Sequence, residues 1–285
     1  MKKKIVSEPK ILIIVPTLNS FKILNKLINS LLKQSYINWE VIFVDGPSSY
    51  DHKEYLRSIS KIDKRFHVFE QPISSKGIFA AMNYGLENKL ETEWVLFWGS
   101  DDYAYDSNTF KSISKIIKDL YLEFGNIDLI TFQGLYVDVN NFKEKRISKF
   151  INKNKYIKNN QFRQNLFLGN CPSHQATLFN RKLFTKYINY DESFKLSADL
   201  NFFLDLIEKK DLCVYNQNQY IVCMGDDGVS GRNFKKRILE VIKAYKNRFG
   251  NNWFIPFFLR YLKKFISRYS KFFSFELQNI LNFKK

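Results

Sequence analysis

The chain has 285 residues, of which 45% are hydrophobic and 17% aromatic, and this composition excludes an intrinsically disordered protein. Lys and Arg outnumber Asp and Glu by 45 to 28, so the net charge is +17, which indicates an anionic partner such as a nucleoside diphosphate, an acidic lipid or a nucleic acid. The three cysteines form no CxxC pair, which argues against a disulfide framework and favours a reducing compartment.

Strands and helices alternate along the first hundred residues. Continuous apolar runs indicate buried strands, and apolar residues at helical spacing separate them. The predicted strands are 10–15, 39–45, 66–69 and 94–98, and the predicted helices are 21–33, 55–62 and 77–90. This alternation is typical of βαβ units and predicts an α/β fold with an open, mostly parallel sheet.

The pattern is less regular beyond residue 100. Residues 140–160 are rich in Lys and Asn and predict an exposed excursion, 175–179 resemble a strand, and 199–209 predict a helix. We predict two parts, a domain over 1–232 and a basic, aromatic-rich helical extension over 233–285.

Polar side chains follow the predicted strands at their carboxyl ends. Thr17 and Asn19 follow the first strand, Asp45 ends the second, and Asp101 and Asp102 follow the fourth. Ligands of open α/β sheets bind outside these strand ends. Adjacent carboxylates there suit a hard cation, Mg²⁺ or Mn²⁺, with substrate phosphates completing its shell. The alternative is that the two neighbouring acids only solubilise a turn and cap the next helix.

These motifs together resemble the family 2 glycosyltransferases, which have the GT-A fold, and most closely the bacterial-type branch that builds surface polysaccharides. The resemblance spans about residues 10–235. It rests on seven segments: IIVPTLN at 13–19, VIFVDG at 41–46, KGIFAAMNYG at 76–85, WVLF with SDD at 94–102, HQA at 174–176, SAD at 197–199 and GVS at 228–230. It implies a Rossmann-like, mixed and mostly parallel sheet flanked by helices, with the C-terminal helical extension appended.

The resemblance also implies roles for individual residues. Asp199 stands at the position of the catalytic base, and Asp102 with Asp101 at the position of the metal-binding acids. The residues implied to bind the donor are Thr17, Asn19, Asp45, Lys76, Gly77, Asn83 and Asp101, and those implied near the acceptor or the diphosphate are His174, Gln175, Ser230 and Arg232. The chain departs from the family pattern where relatives often carry acids, at Ser75, Ala80 and Ala198.

The implied activity is inverting transfer of a sugar from a UDP-, GDP- or TDP-linked donor to a hydroxyl of a glycan or lipid-linked acceptor, by direct displacement with metal assistance. A metal-dependent nucleotidyltransferase is one alternative, but it would place a Gly-rich loop with Lys or Arg after the first strand, which this sequence lacks. A catalytically degenerate GT-A fold that only binds its ligand is another, because of the departures above. A nucleic-acid-binding module is not expected, since aromatic and basic residues interleave here in a helix and not on a sheet face.

The C-terminal extension carries a basic amphipathic pattern over 253–275, with aromatic residues at helical spacing from Trp253 to Phe273. This pattern is typical of a segment that lies in a membrane interface. Packing on the catalytic domain, or on a second subunit of a homodimer, is the alternative. The apolar run 11–15 is too short for a signal peptide, and no run of about 18 apolar residues occurs. We therefore expect a cytoplasmic protein, held peripherally at the inner face of the membrane if the extension docks there.

Overall fold

The computed structural model describes residues 7–87, 90–138, 143–184, 189–226 and 233–266. The strands are β1 (Ile11–Thr17), β2 (Trp39–Asp45), β3 (Phe66–Glu70), β4 (Trp94–Phe97), β5 (Tyr103–Ala104), β6 (Leu129–Val137), β7 (Glu144–Ser148), β8 (Lys155–Lys158), β9 (Thr177–Asn180) and β10 (Cys213–Gly225). The helices are α1 (Phe21–Leu32), α2 (Tyr50–Ser60), α3 (Ile78–Leu86), α4 (Thr109–Phe124), α5 (Asn159–Phe167), α6 (Ala198–Asp205), α7 (Phe234–Phe249) and α8 (254–266).

The strands form one mixed sheet in the order β3-β2-β1-β4-β9-β6-β10-β5, with β7 paired to β6 and β8 to β10. β1 to β4 are parallel to one another, and β6 is parallel to β10, whereas β9 runs antiparallel between β4 and β6. The predicted fold class, a mixed and mostly parallel sheet flanked by helices, is therefore confirmed.

Helices cover both faces of this sheet. Alternate residues of β1 enter two separate cores: Leu12 and Ile14 pack with α3, α6 and α7, whereas Ile11, Ile13 and Val15 pack with α1, α2 and α4. A strand that is buried on both faces needs apolar residues at every position, which explains its continuous apolar sequence.

Two local predictions differ from the structure. α2 begins at Tyr50, five residues before the predicted start at 55, and its first turn buries His52 completely. The predicted excursion 140–160 contains two strands, β7 and β8, that pair with β6 and β10. β7 is largely exposed, because it pairs only with the carboxyl-terminal half of β6 and its side chains cover little of the core. A polar composition is therefore compatible with strand pairing at this position.

The C-terminal helices pack on the same core as α3 and α6. Val241, Ala244 and Tyr245 of α7 are buried in that core, and Trp253, Phe257 and Tyr261 pack against it. Protein packing, one of the two alternatives for the extension, thus holds for one face of α8. The boundary proposed at residue 232 lies outside the described residues and stays a prediction.

The other face of α8 is apolar and exposed, and it consists of Phe254, Phe258, Leu262, Phe265 and Ile266. The rest of the predicted stripe, including Tyr269, Phe272 and Phe273, lies outside the described residues. Across the ranges that the structure describes, none of the helices combines the length and the hydropathy that crossing a bilayer requires.

Candidate active site

The parallel register of β1 and β2 brings two of the predicted residues side by side. Thr17 pairs with Asp45 at the carboxyl end of the two strands, and Thr17 Oγ1 donates a hydrogen bond to Asp45 Oδ1 at 3.0 Å. Ser48 Oγ donates to the same oxygen at 2.7 Å, and His52 Nε2 lies 3.0 Å from it. Sequence analysis missed Ser48 and His52, because only the turn after β2 brings them back to Asp45.

The second carboxylate oxygen of Asp45 is different. The side chain is 1% exposed, and Oδ2 is buried without a hydrogen-bond partner among the described residues. Buried carboxylate oxygens are normally satisfied, and an unmatched one marks a position where a ligand can donate. The N–H groups of a nucleobase and the hydroxyls of a ribose are donors of the required kind.

Asn19 organises the turn beside this pair. Its backbone has a φ of 50°, in the left-handed region that Asn tolerates better than most residues. Its side-chain Oδ1 accepts a hydrogen bond from the backbone N–H of Ser49 at 2.8 Å, and its own N–H donates to Ser48 Oγ at 3.0 Å. Asn19 thus holds the loop after β2 against the end of β1, and its contact with a donor stays a prediction.

Asp101 and Asp102 occupy a turn with no room for larger neighbours. A Cβ on Gly99 would lie 2.8 Å from Asp101 Oδ1, and a Cβ on Gly225 would collide with the same carboxylate. Gly99 N–H donates to Asp102 Oδ2 at 2.6 Å. Burial and the adjacent charge of Asp101 raise the pKa of Asp102 well above its usual range. A cation bound here would stabilise the charged form of Asp102 against both burial and the repulsion from Asp101. The two carboxylates therefore fit a divalent metal.

The side chains of the described residues do not by themselves supply a complete set of metal ligands. Within the described ranges, no three His, Cys, Asp or Glu side chains come close enough together to hold a metal ion. Two carboxylates are typical of Mg²⁺ and Mn²⁺ sites in which substrate phosphates and water supply the remaining oxygens.

Lys76 and Gly77 lie on an exposed turn before α3. Gly77 has a φ of 105°, a conformation that side chains disfavour, and its carbonyl accepts from Gln71 Nε2 at 2.9 Å. Ser75, which departs from the family pattern, donates to Glu192 Oε2 at 3.2 Å. The family pattern often has an acid at the position of Ser75. In this chain the carboxylate of Glu192, which is distant in sequence, lies beside Ser75 instead.

Asn83 is buried and its amide is used inside the protein. Nδ2 donates to the Tyr190 carbonyl at 2.9 Å and to Glu192 Oε1 at 3.1 Å, and Oδ1 accepts from the Tyr190 N–H at 3.0 Å. These bonds clamp the chain around 190–192 onto α3. They give Asn83 a positioning role beside the predicted sugar side, where direct contact with a donor stays a prediction.

Asp199 lies in the first turn of α6 and is half-buried. The segment before it is fixed by Glu240 of α7, whose carboxylate accepts from the backbone N–H groups of Lys195, Leu196 and Ser197 at 3.0, 2.8 and 2.9 Å. Sequence analysis missed Glu240. The signal was an acid next to Val241 on the apolar face of an amphipathic helix, where a carboxylate needs partners to be buried.

His174 is a buried neutral imidazole. Its Nε2 lies 2.6 Å from Tyr190 Oη, and its ring stacks on Phe97 with centroids 5.2 Å apart. Burial lowers the pKa of His174 to about 4. The Gln175 carbonyl accepts from Trp98 Nε1 at 3.0 Å. Both residues thus join the end of β4 to β9, and contact with an acceptor stays a prediction for them. Ser230 and Arg232 lie outside the described residues.

Tyr136, near the end of β6, responds to the charges of both Asp102 and Asp199. Burial chiefly raises the pKa of Tyr136, and the charges of Asp102 and Asp199 both raise it further. The acidic turn after β4 and the start of α6 are therefore within electrostatic reach of one phenol at the end of β6. A ligand at this edge of the sheet would meet the carboxylate predicted to bind the nucleotide, the two carboxylates predicted to bind a cation and the predicted base.

Comparisons with known proteins agree with this architecture. A glycosyltransferase of Haemophilus influenzae described as uncharacterized is 30% identical over 233 residues, which are 81% of this chain and 85% of that protein. One from Rickettsia conorii is 29% identical over 67% of this chain, but the match spans 30% of that longer protein.

Solved structures share the fold at lower identity. Residues 1–349 of TarS from S. aureus superpose with a TM-score of 0.63 at 20% identity, covering 89% of this chain and 72% of that one. TarS in complex with UDP-GlcNAc gives 0.61 at 21% identity, covering 86% of this chain and 69% of that one. A mannosyltransferase from Pyrobaculum calidifontis in complex with GDP-Man and Mn²⁺ superposes with a TM-score of 0.60 at 13% identity. The match covers 88% of this chain and 70% of that one.

The family model of glycosyl transferase family 2 matches residues 12–188, which contain β1 to β9 and both predicted cation-binding acids. Together with the GT-A architecture of the structural neighbours, this match shows that the chain is a glycosyltransferase and belongs to glycosyl transferase family 2.

Proposed function

We propose that the protein transfers a sugar, with inversion, from a UDP-, GDP- or TDP-linked donor to a hydroxyl of a glycan or lipid-linked acceptor in polysaccharide assembly. The observation that carries the proposal is the edge of the sheet where Asp45 Oδ2 is buried without a partner among the described residues and a tight turn holds Asp101 beside Asp102. Direct displacement needs positive charge for the leaving diphosphate and a base for the acceptor hydroxyl, and we assign the cation site to Asp102 with Asp101 and the base to Asp199.

The donor nucleotide would bind at the ends of β1 and β2. Thr17, Ser48 and His52 all face Asp45 Oδ1, which leaves Oδ2 to accept from the nucleotide. Lys76 lies on the exposed turn beside this position, where its ammonium could reach a phosphate. TarS with UDP-GlcNAc and the mannosyltransferase with GDP-Man and Mn²⁺ support a nucleotide-sugar donor for this fold.

A divalent cation, Mn²⁺ or Mg²⁺, would be held by Asp102 and Asp101. When bound, it supplies positive charge to the diphosphate of the donor. The protein contributes the narrow turn between Gly99 and Gly225, which holds both carboxylates together despite their repulsion. Asp199 would hold the acceptor hydroxyl and take its proton as that oxygen attacks the anomeric carbon. Glu240 fixes the turn that aims Asp199.

Titration calorimetry with UDP, GDP and TDP tests the donor site and its metal. At least one nucleotide should bind more tightly with Mn²⁺ than with EDTA, and Asp102→Asn should remove most of this difference, roughly 10²-fold in affinity. Asp119→Asn is the control, because Asp119 is an exposed acid on α4. Equal binding with Mn²⁺ and EDTA would contradict metal assistance, and no binding of any nucleotide would contradict the proposed donor class.

The exposed face of α8 is proposed to dock on an anionic membrane. Phe254 and Phe258 are 54% and 63% exposed, while the opposite face of the helix packs on the core. The net charge of +17 favours an anionic surface, and aromatic side chains suit the bilayer interface. Lipid-linked acceptors would lie at such a surface.

Co-sedimentation with phosphatidylglycerol vesicles at low salt tests the docking. The double variant Phe254→Ser/Phe258→Ser should lose vesicle binding, whereas Ile62→Ser/Leu122→Ser, which removes two equally exposed apolar side chains elsewhere, should retain it. Equal loss in both variants, or a wild-type protein that ignores the vesicles, would contradict membrane docking. A wild-type dimer that only the first variant dissociates would assign the face to a second subunit.

A further inference from the structure

Positive charge is concentrated beside the candidate base. Arg146 of β7, Arg237 of α7, and Arg260 and Lys264 of α8 come from three different elements. Desolvation, and then the charges of Arg260, Arg237 and Arg146, lower the pKa of Lys264 to about 7, while part of this side chain remains exposed to solvent. Holding like charges together costs free energy, so such a cluster is typical of a site that receives an anion.

Packing holds this cluster in place before any ligand arrives. The Arg146 guanidinium lies 3.5 Å from the ring centroid of Tyr136. Besides burial, the charges of Asp102 and Asp199 also raise the pKa of this tyrosine. α8 approaches the loop after α5 so closely that a Cβ on Gly169 would lie 2.5 Å from Arg260 N. Lys263 Nζ also joins α8 to the end of α5, because it donates a hydrogen bond to the Leu168 carbonyl at 2.7 Å.

The cluster retains unused hydrogen-bond donors. Arg237 Nε and Arg260 Nε are buried and have no hydrogen-bond partner among the described residues. Tyr245 and Cys171 raise the pKa of Arg260 most, and the charge of Asp199 raises it further. The two buried Nε–H groups have no acceptor among the described residues, and arginine N–H groups match phosphate oxygens in geometry.

We propose that Arg146, Arg237, Arg260 and Lys264 form a subsite for a phosphate group carried by the acceptor. The assignment to the acceptor rests on the proposed function, with Asp199 as the base. Direct displacement places the attacking hydroxyl and the leaving diphosphate on opposite sides of the sugar. The base acts on the hydroxyl, so Arg260 beside Asp199 belongs to the acceptor side. The substrate class is therefore a phosphorylated glycan or a phosphate-linked lipid carrier.

Calorimetry with glycerol 3-phosphate tests the subsite without requiring transfer. Glycerol 3-phosphate should bind the full chain in the presence of saturating UDP and Mg²⁺. Arg237→Gln and Lys264→Gln should each weaken it by about tenfold, the cost of one charge-assisted hydrogen bond. Lys236→Gln, which removes the same charge from an exposed position on α7, should change it by less than about twofold. Thermal melting establishes that each variant is folded.

Four outcomes would overturn the subsite. Displacement of glycerol 3-phosphate by UDP would assign the cluster to the donor diphosphate. Displacement by phosphatidylglycerol vesicles would assign it to a membrane headgroup. Equal weakening in Lys236→Gln, or no binding, would show that the cluster recognises no phosphate. A separate titration with UDP, GDP and TDP measures donor binding. Loss of glycerol 3-phosphate binding alone contradicts only the subsite, whereas a wild-type protein that binds none of the three nucleotides contradicts the proposed function.

Discussion

The two sides of the active-site edge are built in different ways. On the donor side, the ends of β1, β2 and β4 deliver Thr17, Asp45 and Asp102 directly, because neighbouring parallel strands end together. On the proposed base side, Asp199 lies in the first turn of an eight-residue helix, which α7 holds through Glu240 and α8 borders through Arg260. Strand register positions the donor side, and contacts between distant segments position the base side.

In the proposed function, this difference separates nucleotide binding from chemistry. Hydroxyls and an imidazole surround one oxygen of Asp45, and the other, without a partner among the described residues, is proposed to accept from the nucleotide. Asp199, the proposed base, is half-buried and therefore remains accessible to an acceptor. Substitutions on the donor side should therefore change Kd for the nucleotide, and substitutions on the base side should change kcat.

Replacing Asp199 by Asn should lower transfer by roughly 10²–10⁴-fold, the usual contribution of a general base, because the amide cannot take the acceptor proton. Donor affinity, measured by calorimetry, should stay near that of the wild type. Asp191→Asn, a change in an exposed acid of the preceding loop, serves as the control. A parallel loss of donor affinity would place Asp199 on the donor side and break the division.

Replacing Asp45 by Asn should have the opposite effect, weakening nucleotide binding and leaving kcat little changed. Thr17 and Ser48 still donate to the remaining oxygen, so the amide nitrogen takes the position of Oδ2 and presents a donor to the nucleotide. Loss of a hydrogen bond to a charged group should weaken nucleotide binding by roughly 10–100-fold, with kcat at saturating donor little changed. Asp51→Asn, an exposed acid in the first turn of α2, is the matched control. A lower kcat at unchanged affinity would be inconsistent with a binding role.

Acid should destabilise the fold through His174. Its folded pKa of about 4 lies below the value near 6.5 of the unfolded chain, so the unfolded state binds the proton first. Stability is then lost as pH falls through 6.5, by about 2 kcal/mol between pH 7 and pH 5. Urea unfolding at both pH values measures this loss, and His174→Asn should reduce it by that amount. If the variant has the same pH dependence as the wild type, another group is responsible.

Replacing Glu240 by Gln should lower transfer by about tenfold, because a single amide oxygen cannot accept the N–H groups that two carboxylate oxygens accept. Donor Kd should stay unchanged, and kcat should fall. Glu208→Gln removes an exposed acid paired with Arg248 and should leave kcat unaltered. Loss of stability with unchanged kcat would reduce Glu240 to a structural role.

Much of the fold followed from the sequence, since a strand buried on both faces must be apolar throughout. The continuous run of β1 and the ends of β2 and β4 therefore indicated both the sheet and its ligand edge. The start of α2 was misplaced, because burial of His52 depends on its contact with Asp45 and not on local pattern. β7 and β8 were missed for the same reason, as they are stabilised by pairing with strands distant in sequence.

The α/β class, the family resemblance and the acids at the strand ends could all be predicted from the sequence, because a continuous apolar run that ends in polar residues is a local mark of a buried strand and of its carboxyl end. Three contacts could not be predicted in this way: Glu192 meets Ser75, Glu240 holds the segment before Asp199, and one face of α8 packs on the core. These contacts join residues more than 40 positions apart, and their geometry depends on how helices pack over the finished sheet. A charge pattern along the chain cannot specify which distant backbone groups a carboxylate will face.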